Sequence, residues 1–195
     1  MLYNFLKPIA RFIFGILFRI KVKNPENIPE DRSVILCANH ISLLDCVFIA
    51  GFIKPKVGFL GKSELNKLGP ITWFLKAIGY IPITRGKADV GAVKNVIDTL
   101  HSGKSVLVFI QGTRKRGVPI ESTAAKNGAA LMQKKAECDI VPVSVTNEKM
   151  KVRLFSKVYV NIGRPIPHSD LEGMENDQIT KKIFQEIVSL SKEEK

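Results

Sequence analysis

His40 and Asp45 stand five positions apart in Asn39-His40-Ile41-Ser42-Leu43-Leu44-Asp45. A carboxylate against one imidazole nitrogen fixes the tautomer and stabilises the cation, so the other nitrogen can take a proton from a hydroxyl. The pair lies where the strand-like run Ser33-Val34-Ile35-Leu36-Cys37-Ala38 gives way to an apolar, helix-like run. Such junctions are where α/β folds place much of their chemistry. Five residues turn about 140° around an ideal helix, so the two cannot share a helical face. His40 is expected on the turn, with Asp45 reaching back from the first turn of a helix. A plainer reading makes Asn39-His40 a helix cap and leaves Asp45 in solvent, and the pair alone leaves both readings open.

A second group follows the apolar run 105–110: Gln111-Gly112-Thr113-Arg114-Lys115-Arg116-Gly117. Glycines at both ends let backbone turn closely around a ligand. Arg114 offers a planar fork suited to phosphate, and Lys115 and Arg116 add charge. Arg85 ends the extended run Gly79-Tyr80-Ile81-Pro82-Ile83-Thr84 in the same manner. Each arginine alone reads more readily as a solvated surface residue. Two of them at strand ends, beside a strand-end His/Asp pair, make a cationic site plus a base. Gly61-Lys62-Ser63 and Gly103-Lys104-Ser105 mimic the end of a phosphate-binding loop but lack its earlier glycine, with Lys56 and Asp98 in that place. Cys46 adjoins Asp45, and is expected to be a small buried apolar residue rather than a nucleophile.

The elements that must position these groups alternate. Strands are expected at 33–38, 57–60, 105–110, 140–145 and 151–162, with Pro82 marking 80–83 as a sheet edge or end. Helices are expected at 42–52, 64–78 (interrupted at Gly69-Pro70), 88–101, 122–136 and 170–192. This pattern predicts an α/β fold with a mixed, largely parallel sheet flanked by helices. The length suits one domain with a real core, and 45% of residues are apolar. Three cysteines without a Cys-x-x-Cys argue against a disulfide or zinc framework.

The net charge of +12 and pI of about 9.7 imply an anionic partner: nucleic acid, a membrane surface or a phosphorylated substrate. Residues 1–23 carry Lys7, Arg11, Arg19, Lys21 and Lys23, no acid, and eleven Leu, Ile and Phe side chains. Asn4, Lys7, Arg11, Gly15 and Arg19 recur at spacings of three and four, one stripe of a helix. Its longest uncharged run is shorter than the ~20 residues a bilayer span needs. An amphipathic helix over 1–23 lying in the membrane interface, basic stripe toward anionic headgroups, is expected, followed by a catalytic domain over 24–195. A first helix packed on the core is the alternative.

Together the motifs resemble the glycerolipid acyltransferase family, and within it the 1-acylglycerol-3-phosphate acyltransferases. His40 through Asp45 matches the family's His-x4-Asp. Gly79 to Arg85 is similar to Gly-x-Ile-x-Ile-x-Arg, with Pro82 at an unusual place. Phe109 to Arg114 resembles Phe-Pro-Glu-Gly-Thr-Arg, with Ile110 for proline and Gln111 for the acid. Val141-Pro142-Val143 is similar to the fourth motif. Lys62 falls where a lysine often precedes the second motif, and Ile162-Gly163-Arg164-Pro165-Ile166 looks like the closing strand and turn.

The resemblance implies transfer of a fatty acyl group from an acyl carrier protein or coenzyme A thioester to the free hydroxyl of a lysophospholipid, lysophosphatidic acid first, giving phosphatidic acid. His40 would be the base and Asp45 its orienting acid. Arg85, Gly112, Thr113, Arg114, Gln111 and, more weakly, Lys62 would bind the acceptor. No metal ion, resident cofactor or covalent enzyme intermediate is implied. Trp73 and Phe74 are open among acyl tunnel, lipid contact and core. The expected place is the cytoplasmic face of the cell membrane, bound peripherally. Another lysolipid or glycerol 3-phosphate as acceptor is the nearest alternative. A non-catalytic basic module for nucleic acid or membrane explains the charge but not four ordered motifs, so no nucleic-acid partner is expected.

Overall fold

The computed structural model describes residues 2–64, 69, 72, 75–76, 79–84 and 90–193. Arg85, Trp73 and Phe74 lie outside these residues, as does most of the helix expected over 64–78. The described elements run α1 (Leu2–Leu17), β1 (Arg19–Lys23), β2 (Ile35–Ala38), α2 (Asp45–Ala50), β3 (Val57–Lys62) and β4 (Tyr80–Ile83). They continue with α3 (Val90–His101), β5 (Ser105–Phe109), α4 (Gly128–Ala136), β6 (Ile140–Thr146), β7 (Lys157–Ile162) and α5 (Asn176–Lys192).

The strands form one sheet in the order β1-β7-β6-β2-β5-β3-β4. Five neighbours, β6, β2, β5, β3 and β4, are mutually parallel, and β7 is antiparallel to β6. The carboxyl ends of those five strands therefore share one edge, where ligands bind in open α/β sheets. β4 is at the sheet margin, so Pro82 removes no donor from an interior ladder, as its type predicts.

Alternation along β2 sends Ile35 and Cys37 to one face and Leu36 and Ala38 to the other. The first face is covered by α3, α4 and α5 through Val96, Leu100, Ala130, Met132, Ile179, Ile183 and Ile187. The second is covered by α1 and α2. There Phe48 is fully buried against Phe18 (ring centroids 5.2 Å) and Phe14 (6.5 Å).

Three segments differ most from the pattern reading. The first helix stops at Leu17, and residues 19–23 form β1, a parallel partner of β7. The basic stripe of α1 is not turned outward as a unit. Lys7 donates to the Lys54 carbonyl (2.9 Å) and the Arg11 guanidinium lies 5.8 Å from the centre of the Phe52 ring, while Phe5, Ile9, Phe12, Ile13 and Ile16 are exposed. The helix expected from 122 starts only at Gly128, because the Lys126 N–H donates to the Ile110 carbonyl and the Thr123 hydroxyl to the Ile120 carbonyl. The strand expected over 151–162 begins at Lys157, after a loop closed by side-chain turns at Asn147 and Ser156.

Phe48→Ala should destabilise the fold by about 3–5 kcal/mol, the usual range for emptying a large aromatic site in a core. Denaturant titration checks it; a loss under about 1 kcal/mol would show that α1 and α2 are not part of the cooperative core.

Candidate active site

β2 ends at Ala38, and the next side chain ties the strand end down. Asn39 donates from Nδ2 to the Val145 carbonyl and accepts the Val145 N–H at Oδ1, both at 2.7 Å. His40 follows on the turn and is 7% exposed. Ser42 accepts the Leu44 N–H (3.2 Å), tightening the turn that leads to Asp45, the first residue of α2.

Asp45 is fully buried, and its Oδ2 collects three donors: His40 Nδ1 at 2.7 Å, the Ile41 N–H at 2.8 Å and the Ser42 N–H at 2.9 Å. A buried carboxylate needs such partners to offset its lost hydration. A carboxylate oxygen only accepts, so Nδ1 carries the proton, and Nε2 of the neutral ring is left with its lone pair. Oδ1 of Asp45 has no hydrogen-bond partner among the described residues. The capping alternative, with Asp45 in solvent, does not hold: Asn39 bonds across to β6 and Asp45 is wholly enclosed.

The turn after β5 is bound to His40 at both of its backbone groups. The His40 N–H donates to Gln111 Oε1 (2.8 Å), and the His40 carbonyl accepts the Lys115 N–H (2.7 Å). Gln111 is 2% exposed, and its Nε2 donates to Thr123 Oγ1 (2.8 Å). Both ends of its amide are therefore engaged inside the protein, the geometry of a group that positions the His40 backbone. Phe109 stacks on the imidazole, with centroids 3.8 Å apart and planes 13° apart.

Gly112 has φ +66, and a Cβ there would lie 3.0 Å from Lys126 Cδ, so both conformation and space favour glycine. Thr113, Arg114 and Arg116 are exposed on the turn. Lys62 ends β3 at the same sheet edge, its side chain exposed and its carbonyl accepting the Tyr80 hydroxyl (2.6 Å). The structure thus groups His40, Asp45 and the 111–116 turn into one unit and places Lys62 at the same edge; Arg85 falls outside the described residues.

Four contributors escaped the pattern reading. Asn39 stands in the sequence as a capping type and Phe109 as the first residue of a matched motif, neither with a partner indicated, and Thr123 and Lys126 fall inside an expected helix. Two cavities flank the unit. One, of about 240 Å³, is bordered by Phe109, Ile110, Gly112, Lys126, Thr84 and Met132. The other, of about 350 Å³, lies between α1 and α2 and is lined by Leu6, Ile13, Phe14, Cys46, Val47 and Ala50. Burial in that apolar lining, then the charge of Asp45, pushes the Cys46 thiol up to about 12, so it is not a thiolate at neutral pH.

The Acyltransferase family profile matches residues 19–146. The chain is 31% identical over 204 aligned positions to the 1-acyl-sn-glycerol-3-phosphate acyltransferase of Streptococcus pneumoniae, covering 100% of this chain and 75% of that protein. It is 25% identical to the enzyme of the same name from Bacillus subtilis, covering 97% of this chain and 96% of that one. Its fold is similar to the crystal structure of the 1-acyl-sn-glycerophosphate acyltransferase PlsC from Thermotoga maritima. That match has a TM-score of 0.78 at 24% identity and covers 98% of this chain and 78% of the other.

Gln111→Ala should leave the His40 N–H without its acceptor. Such a loss costs about 1–3 kcal/mol of stability and should lower kcat with little change in KM. Gln111→Glu keeps an acceptor for that N–H but loses the donor to Thr123 and buries charge. It should retain more kcat than Gln111→Ala while still lowering Tm. Steady-state kinetics beside thermal melts decide it, and equal kcat in all three proteins would mean that the contact does not position the base.

Proposed function

The chain belongs to the Acyltransferase family, and from that premise we propose that it acylates the free hydroxyl of 1-acyl-sn-glycerol 3-phosphate to give phosphatidic acid. The observation that carries the mechanism is the 2.7 Å contact between His40 Nδ1 and Asp45 Oδ2, which leaves Nε2 to face a hydroxyl. The names of the relatives support the acceptor. The acyl donor is a thioester, of acyl carrier protein or coenzyme A.

Nε2 takes the hydroxyl proton as the acceptor oxygen attacks the thioester carbonyl. The imidazolium formed is held by Asp45. When the tetrahedral intermediate collapses, the C–S bond breaks and the imidazolium returns the proton to the departing sulfur. Ester and thiol are the products, and the atoms balance without an acyl-enzyme. The perturbed Cys46 thiol supports this direct route, since it is a poor nucleophile.

Arg114, exposed on a turn whose backbone is bonded to that of His40, is the leading ligand for the acceptor phosphate. Arg85, Lys62, Gly112 and Thr113 are proposed beside it on motif position. Gln111 acts one step back, through His40. The apolar cavity that starts at Cys46, next to Asp45, suits a fatty acyl chain.

The acceptor is an amphiphile that leaves a bilayer reluctantly. We place the enzyme peripherally on an anionic membrane, on the cytoplasmic face, with the exposed apolar face of α1 in the interface. No described helix is long and apolar enough to cross a membrane. With Lys7 and Arg11 turned toward the domain, the apolar side chains carry more of the attachment than the charges do.

In a folded protein, His40→Ala should reduce turnover by about 10²–10⁴. Arg114→Ala should raise the acceptor KM about 10–100-fold and barely change the donor KM, as loss of a charge-assisted contact worth about 1.5–3 kcal/mol predicts. Lysophosphatidate and its dephosphorylated counterpart, assayed with a radiolabelled thioester, give the readout. An unchanged rate in His40→Ala sinks the mechanism, and equal KM effects on both substrates remove Arg114 from the phosphate site. Phe5→Ser/Phe12→Ser should weaken vesicle binding and activity on vesicle-borne acceptor. It should spare activity on a short-chain soluble acceptor, and equal loss of both activities would make α1 part of the core only.

A further inference from the structure

The β6–β7 connection, residues 147–156, is fastened to two functional parts at once. The Met150 carbonyl accepts the N–H of Gly117, which closes the basic turn (2.7 Å). The Phe155 N–H donates to the carbonyl of Leu17, the last residue of α1 (2.8 Å). The shape between these points is fixed from within. Asn147 Nδ2 donates to the Lys151 carbonyl (2.9 Å) and its Oδ1 accepts the Lys151 N–H (2.7 Å). Ser156 Oγ donates to the Arg153 carbonyl (2.6 Å) and accepts the Arg153 N–H (3.1 Å).

A loop so constrained nevertheless holds its largest apolar side chains outward. Leu154 is 60% and Phe155 59% exposed. Phe155 also has φ +61, a left-handed backbone that a bulky residue adopts only where its surroundings impose it. Lys149, Lys151, Arg153 and Lys157 flank the pair in sequence, against a single acid, Glu148; Lys149, Arg153 and Lys157 are exposed, and the Lys157 ammonium lies 5.0 Å from the centre of the Tyr159 ring. An apolar tip on a basic loop matches the layering of an anionic bilayer surface, with phosphates outside and acyl chains within. The Phe155–Leu17 bond makes this tip continuous with the end of α1, next to exposed Ile16.

We infer that loop 147–156 is a second membrane anchor, in which Leu154 and Phe155 enter the headgroup–acyl boundary of an anionic phospholipid bilayer and Lys149, Lys151, Arg153 and Lys157 meet its phosphates. The inference rests on the reading of α1 as an interface helix and extends it. Two attachment points fix orientation as well as affinity. Because Met150 is bonded to Gly117, the second point holds the basic turn at headgroup level, where an acceptor phosphate lies.

The test uses the full chain and vesicles of phosphatidylcholine with phosphatidylglycerol. In Leu154→Ser/Phe155→Asn, asparagine accepts the left-handed backbone, so the loop should keep its shape. Co-sedimentation should show binding weakened about tenfold or more, with Tm and activity on a short-chain soluble acceptor unchanged. Phe5→Ser/Phe12→Ser is run in parallel. If the α1 variant loses binding while the loop variant binds like the native protein, the loop anchor is overturned and the α1 reading stands. Native binding by both variants overturns both. Loss of a dimer on gel filtration with vesicle binding intact would assign the tip to a second copy of the chain and likewise end the proposal.

A second measurement does not depend on how the double variant folds. Leu154→Cys is labelled with a polarity-sensitive fluorophore. Burial pushes the Cys46 and Cys138 thiols up to about 12 and the Cys37 thiol higher still, so at neutral pH the new exposed thiol takes the label. A blue shift on vesicle addition is expected, and an unshifted spectrum with bound protein contradicts the inference.

Discussion

One carboxylate oxygen organises this site. Asp45 Oδ2 accepts from His40 Nδ1 and from the Ile41 and Ser42 N–H groups while the side chain is entirely enclosed. Three donors meet there only if the chain leaves β2, turns within a few residues and starts α2 at Asp45. That turn in turn needs Asn39 fixed on β6 and Ile41 buried in the core. The backbone of His40 is then tied at both polar groups to the turn after β5, through Gln111 and Lys115. His40 and the basic turn are therefore tied backbone to backbone, and under the proposed roles this tie would set the spacing between a hydroxyl at Nε2 and a phosphate at Arg114.

Legibility from sequence followed the range of the interactions. The His/Asp pair, the strand-end placement and the edge position of Pro82 all rest on local pattern, and the structure has each of them. So do the alternating elements and the mixed, largely parallel sheet. What local pattern could not show is where backbone donors go when they leave regular structure. Residues 123–127 have helix-compatible types, yet Lys126 bonds back to Ile110, just past β5, and Thr123 to Gln111, so α4 begins late. Residues 151–156 alternate well enough for a strand, but Asn147 and Ser156 close turns there. Arg19 to Lys23 continue a basic, apolar pattern that suits a helix, but pairing with β7 decides otherwise.

The same contrast applies to Gln111 and α1. As a motif position Gln111 looks like a weakened substrate ligand; its observed partners, the His40 N–H and Thr123, make it a tie on the His40 backbone. In α1 the period correctly separates a polar stripe from an apolar face. The direction each face takes depends on tertiary contacts, and Lys7 and Arg11 are drawn inward over the end of α2. For the proposed attachment to a membrane, magnitudes favour the apolar face. A basic residue near an anionic surface contributes about 1 kcal/mol and is screened by salt. A buried aromatic side chain removes roughly 150–250 Å² from water, at about 25 cal/mol per Å², and salt does not weaken it.

The proposed mechanism depends on which nitrogen of His40 carries the proton. Nitrogen-15 NMR of the protein labelled at histidine, with His40→Ala used to assign the signal, reads this directly. The neutral ring should be the Nδ1–H tautomer, with Nε2 showing the shift of an unprotonated nitrogen, and Asp45→Asn should disturb that state. An Nε2–H tautomer in the native protein, with Nδ1 unprotonated against Asp45, would leave no lone pair for the acceptor hydroxyl and would contradict the mechanism.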